Sequence, residues 1–174
     1  MNYQKATLSA KQFLDKLKIT KPPVDIRAVI RSVGIIVAEA PHEDDGMSGL
    51  ILRGNGKTLI GLNASHHENR KRFTLAHELG HNELHSKGIF IDPEKNFNIK
   101  YRAKKNGGYD PEESEANAFA AELLMPEDWV KKDFDTLDKN FKSLGKEFIA
   151  NALAKKYEVS DEAMNIRLDS LSLV

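Results

Sequence analysis

The chain has 174 residues, 40% of them hydrophobic, and its 26 basic and 26 acidic side chains give a formal net charge of zero. That length suits one domain, or a domain with a small appendage. The balanced charge supplies no general field to draw in nucleic acid or an anionic membrane. There is no cysteine, which excludes disulfides, thiolate metal sites and cysteine nucleophiles; any transition-metal site must use His, Asp or Glu.

The N-terminal stretch MNYQKATLSAKQFLDKLKIT has no apolar run of signal-peptide length. No later stretch approaches the roughly 20 apolar residues of a membrane span, so a cytoplasmic protein without a membrane partner is expected. Residues 8–19 place Phe13, Leu14, Leu17 and Ile19 at helical spacing, and Lys21-Pro22-Pro23 ends that segment. A short helix follows, with Val24, Ile26, Val29 and Ile30 inward and Gly34 as its C-terminal cap. Ile35-Ile36-Val37 reads as a strand, and the acidic stretch His42–Gly46 as a loop. Residues 47–53 and 57–62 are strand-like runs joined by Gly54-Asn55-Gly56, a hairpin signal.

A long helix is expected over residues 69–86, ended by Lys87-Gly88. Residues 89–110 read as irregular and basic, and a loop of that length in a compact domain is functional or disordered. Pro111 opens the next helix, with Asp110 at its N-cap and Glu112 and Glu113 in its first turn, and Pro126 stops it. The remainder reads as helices near 127–134, 144–157 and 161–172. This order of elements is α+β-like.

Chemistry concentrates in His77-Glu78-Leu79-Gly80-His81. Helical residues four apart share a face, so two imidazoles at this spacing converge on one ion with the Glu alongside. An ordinary amphipathic helix with partly exposed histidines is the bland alternative. A catalytic zinc takes three protein ligands and keeps a position open. His85 extends the series, but it lies about 12 Å along the axis from His77 at 1.5 Å per residue, which suits a supporting or helix-end residue better than a ligand. Glu113 and Asn117 are four apart on the next helix. That pair can supply a carboxylate ligand and a hydrogen-bond partner for a ligand imidazole. Glu115 points to another face and is the weaker ligand candidate. Ala116, Ala120 and Ala121 would let the two helices approach closely.

The segment Arg72-Phe73-Thr74-Leu75-Ala76-His77-Glu78-Leu79-Gly80-His81, followed by Glu113-x-x-Ala116-Asn117-x-Phe119-Ala120-Ala121-Glu122-Leu123-Leu124-Met125-Pro126, resembles the ImmA/IrrE family of metallopeptidases over about residues 20–130. The resemblance implies a zincin-like fold: a small antiparallel or mixed sheet packed on helices. It implies zinc ligands His77, His81 and Glu113, with Glu78 as the catalytic acid–base. It also implies a protein substrate, a helix-turn-helix repressor of a mobile element or stress response. Asn82-Glu83 departs from the family, which is usually more apolar there. A two-His, one-carboxylate set also accepts manganese or iron. Tyr101, Arg102 and Tyr109 in the long loop, with His66 and His67, are candidates for a second oxyanion donor. The strand containing Ile60 precedes the metal helix and is expected to bind substrate by strand addition at a sheet edge.

Residues 1–130 are expected to form the peptidase domain, including the N-terminal helices, and residues 131–174 a helical C-terminal subdomain packed on it. Within that subdomain, residues 148–168 look like a helix-turn-helix. This supports a competing reading: a DNA-binding or protein-docking regulator with a non-catalytic metal site. Asp161, Glu162 and Asp169 against a single Arg167 in its second helix argue against phosphate contact, so no direct nucleic-acid partner is expected.

Overall fold

The computed structural model describes residues 3–41, 48–54, 56–85, 89–90 and 110–174. Helix α1 (Tyr3–Lys16) buries Ala6, Ala10 and Leu14, a four-residue repeat that lays a narrow apolar stripe on the core. It starts earlier than its apolar pattern announced and stops at Lys16, though Leu17 and Ile19 still pack on the core. Helix α2 (Ile26–Ser32) is capped by Asp25, whose carboxylate accepts from the Ala28 amide. The chain leaves it through Val33 and then Gly34 at φ +76°, a conformation glycine adopts without a Cβ penalty.

Four strands are found among the described residues: β1 (Ile36–Ala40), β2 (Gly49–Gly54), β3 (Lys57–Asn63) and β4 (Ile89–Phe90), in the spatial order β1-β3-β2-β4. The β2–β3 hairpin is antiparallel and sets Ile51 opposite Ile60. Gly56 in its turn has φ +71°, as a tight hairpin requires. β1 joins β3 in parallel, and β4 joins β2 in parallel through Leu52 and Arg53. β4 falls in the stretch read from sequence as irregular; two residues are too few to show an alternating pattern.

The expectation for Ile60 is overturned. β3 has a partner on each side, and Ile60 is fully buried between the sheet and the helices. A strand with both hydrogen-bonding edges occupied cannot add a substrate strand. Among the described strands, the outer positions of the sheet belong to β1 and β4.

The remaining helices are α3 (Glu68–Leu84), α4 (Pro111–Leu124), α5 (Glu127–Thr136), α6 (Lys139–Lys142), α7 (Lys146–Tyr157) and α8 (Asp161–Ser170). The short α6 escaped the sequence reading; its start is fixed by Asp138, which accepts from the Asn140 amide at 2.7 Å. α3 buries Leu75, Ala76 and Leu79 and packs on α4, α2, β2 and β3. Ile149, Leu153, Met164 and Leu168 of the C-terminal helices join the same apolar cluster as Ile30, Ile60 and Leu75. Residue 131, the expected start of a C-terminal subdomain, lies inside α5. The architecture is α+β, a small mixed sheet against helices with a helical C-terminal part. No helix among the described residues is long and apolar enough to cross a membrane.

Candidate metal centre

The site forms where α3 and α4 cross. α3 begins at His67, whose ring nitrogen accepts from the Asn69 amide at 3.2 Å. α4 begins at Asp110, which accepts from the Glu112 amide at 2.9 Å, with Pro111 in its first turn. Glu113 therefore sits in the first turn of α4, where the helix dipole favours a carboxylate. Gly80 makes the crossing possible. A Cβ there would lie 3.1 Å from the Phe119 ring and 3.2 Å from both the Cα and the carbonyl oxygen of Ala116. No larger residue fits that gap without moving α4.

The crossing brings His77, His81 and Glu113 together. His77 Nε2 and His81 Nε2 are 3.0 Å apart. Each lies 3.2 Å from a Glu113 carboxylate oxygen. Ligand atoms placed ~2.0–2.1 Å from a tetrahedral ion are about 3.3 Å from one another, so this donor set fits zinc. A structural zinc normally has four protein ligands; the group found among the described residues has three, which fits a site with an open position. The His81 side chain is 2% exposed, whereas His77 is 17% and Glu113 38% exposed, so the centre opens toward solvent on the His77–Glu113 side. Glu78 is buried on the same helix.

Hydrogen bonds behind the site fix how the imidazoles present themselves. His77 Nδ1 is 2.9 Å from Asn117 Oδ1. A carbonyl oxygen accepts, so Nδ1 carries a proton and Nε2 is the nitrogen that a metal ion would take. Contacts with His77, then His81, hold the Glu113 carboxyl far below its usual range. Burial pulls His77 down, but the Glu113 contact, with help from the Glu78 charge, keeps it above its usual range. These are the electrostatics of a pocket built to hold positive charge between two imidazoles and a carboxylate.

Of the other residues named from sequence, Asn117 stands on His77 and His85 on His81, with 3.0 Å between the two Nδ1 atoms. His67 is used as the cap of α3. His66 lies beside Asn63. Both precede His77 by ten residues or more, about 15 Å of helix, so neither reaches a substrate carbonyl at this centre. Tyr101, Arg102 and Tyr109 lie outside the described residues. Two partners went unseen in the sequence. Glu115 is not in the metal group; its carboxylate lies 3.3 Å from His85 Nε2. Arg53 of β2 donates to Asn82 Oδ1 at 3.2 and 3.0 Å, which accounts for a polar residue where an apolar one is usual. Both contacts join separate elements, and only the spacing within an element was visible beforehand.

Comparison with known proteins sets this geometry in a family. A protein of Bacillus phage phi105, described as uncharacterized immunity region protein 2, is 29% identical over 128 residues, 72% of each chain. A solved structure described as a Mycobacterium tuberculosis transcriptional regulator superposes with a TM-score of 0.60 at 15% identity, a likeness of fold alone. It covers 94% of this chain, which spans 46% of that longer protein. Residues 30–169 match the family described as peptidase M78, IrrE N-terminal-like domain. That match takes in both helices of the site and most of the C-terminal helices: the chain belongs to the peptidase M78 family.

Proposed function

We propose that this chain is a zinc-dependent endopeptidase of the cytoplasm that hydrolyses a peptide bond in a helix-turn-helix transcriptional repressor. The observation that carries the reading is the convergence of His77 Nε2, His81 Nε2 and the Glu113 carboxylate at 3.0–3.2 Å. When bound, zinc supplies Lewis acidity and lowers the pKa of water to about 7. Asn117 anchors a proton on His77 Nδ1 and so leaves Nε2 for the metal. Glu78 takes the proton of the attacking water and returns it to the leaving amine, general acid–base work worth about 10²–10⁴-fold. Its burial within the same helix turn as the ligands favours that role over a solvated surface acid. The repressor as substrate is supported by the family and by the likeness to a phage immunity-region protein.

The competing reading, a DNA-binding regulator built on α7 and α8, finds no support in the side chains. Arg167, the one base of α8, is buried in an ion pair with Glu122 and donates to the Met125 carbonyl at 3.0 Å. It is not available to a phosphate.

The test is incubation of the zinc-loaded protein with purified helix-turn-helix repressors from its source organism, read by intact mass. New fragments are expected from the parent, and none after chelation or in Glu78→Gln. Repressors left uncleaved with zinc bound remove the substrate assignment. A protein that takes up no zinc removes the metal reading itself.

A further inference from the structure

His81 is the more deeply buried of the two histidines. Its Nδ1 meets another imidazole, that of His85, at 3.0 Å. Two imidazole nitrogens form a hydrogen bond only if one carries the proton and the other a lone pair. Nothing in the pair alone decides which is which. If His85 donates, His81 carries its proton on Nε2, pointing into the metal position. If His81 donates, its Nε2 lone pair faces the site.

Glu113, 3.2 Å from His81 Nε2, draws a proton toward the metal position when no ion is bound; Glu115 sets the opposite side of the ring. Its carboxylate lies 3.3 Å from His85 Nε2, and a carboxylate accepts. His85 therefore carries its proton on Nε2 and, as a neutral ring, offers a lone pair at Nδ1. His81 must then donate from Nδ1. We infer that Glu115 and His85 form a two-step relay that holds His81 in the tautomer able to bind a metal, Glu115 acting through His85 as a positioning residue. The groups are well placed for this. The His85 and Glu115 side chains are 7% and 20% exposed, and the His81 and His85 rings are 5.1 Å apart. The relay spans the α3–α4 crossing: His85 caps the end of α3, and Glu115 lies one turn into α4. Glu113 and Glu115 thus serve the same ion from opposite sides, one directly and one through two rings. This assignment rests on the metal reading above.

Zinc affinity, measured by competition with a chromophoric chelator, and the histidine tautomers of the zinc-free protein, read from two-bond ¹H–¹⁵N spectra, test it together. Glu115→Ala is expected to weaken zinc binding by about 10–100-fold, the range for loss of a partner behind a metal ligand. It should also take the proton from His81 Nδ1, leaving the ring in the Nε2–H tautomer that Glu113 favours in the zinc-free protein. Glu115→Gln keeps an acceptor oxygen for His85 and should recover most of both, which a merely structural role would not predict. His85→Phe, which fills the space without the relay, should match the alanine variant. A parent that binds zinc while Glu115→Ala binds within about twofold of it, with the His81 tautomer unchanged, overturns the relay alone. A parent that binds no zinc overturns the metal reading and the relay with it, and the spectra show which tautomer the zinc-free protein holds.

Discussion

Gly80→Ala tests whether the α3–α4 crossing is as tight as the site requires. In an unconstrained helix interior this change stabilises by about 0.8–1.0 kcal/mol. Here the new methyl would meet the Phe119 ring at 3.1 Å and the Cα and carbonyl oxygen of Ala116 at 3.2 Å. Two of those three atoms are backbone and cannot rotate away, and Ala116 and Phe119 are fully buried. Relief must come from α4 moving by a few tenths of an ångström. Overpacking of this kind costs about 1–3 kcal/mol, so the net is a loss of about 1 kcal/mol, or 2–4 °C in a chain of this size. The larger effect falls on the ion. Glu113 lies one turn from Ala116 on the moving helix, and metal–ligand distances tolerate only about ±0.2 Å. Zinc affinity should fall about tenfold. Thermal unfolding of the zinc-free variant and chelator competition measure the two effects separately. A variant at least as stable as the parent, with unchanged zinc affinity, would refute the close crossing and the role given to Gly80.

Glu113→Ala should take zinc from about one per chain to none on elemental analysis of protein purified without chelator, while the far-ultraviolet spectrum is unchanged. Arg167→Met removes the nearer of the two cations beside Glu122, whose side chain is 1% exposed, and leaves Lys11 at 3.8 Å; loss of one partner of a buried pair costs about 3–5 kcal/mol, offset in part here by Lys11 and read as a lower urea midpoint. The pH dependence has a definite sign. Glu113 is held below its usual value of 4.5, so its contribution to the zinc-free protein is present above that value and lost as the pH falls toward its lowered value. His77 is held above 6.5, so its contribution is present below that value and lost as the pH rises past its raised one. Zinc requires the neutral imidazole and displaces that proton, so the rise in unfolding temperature on adding zinc should be larger at pH 7.5 than at pH 5.5. An equal rise at both would show that His77 is not a ligand.

What the sequence made legible was local. The His77–His81 spacing, the Asp110 cap, the Gly56 turn and the Glu113–Asn117 spacing each depend on residues within one element, and each is found as expected. What it hid depends on how elements meet. Strand order is such a case: nothing within residues 57–62 tells a central strand from an edge strand, and the parallel partner β1 lies twenty residues upstream. Glu115 is another. On a helical wheel it points away from Glu113, which was read as pointing away from the site. The rotation of α4 over α3 instead brings it onto His85 from the far side.

The C-terminal helices belong to this same question. The turn between α7 and α8 has the outline of a DNA-reading motif, yet its backbone is spent on α3. Arg72 donates to the carbonyls of Glu158 and Tyr157 at 2.9 and 3.4 Å, and to Val24 at 3.0 Å. Asn69 donates to Val159 at 2.9 Å. α4 is held from the same region, through Glu122 and Arg167. Arg72 precedes His77 by five residues, and Glu122 follows Glu113 by nine, about 13 Å of helix. The two helices that carry the metal residues are therefore tied to one C-terminal layer away from the site, while Gly80 and Ala116 set their separation at the site itself. His77, His81 and Glu113 all lie before residue 131, but the frame that keeps α3 and α4 in register does not. A protein cut short at α5 would retain every metal residue and lose the brace that holds their donor atoms at 3.0–3.2 Å.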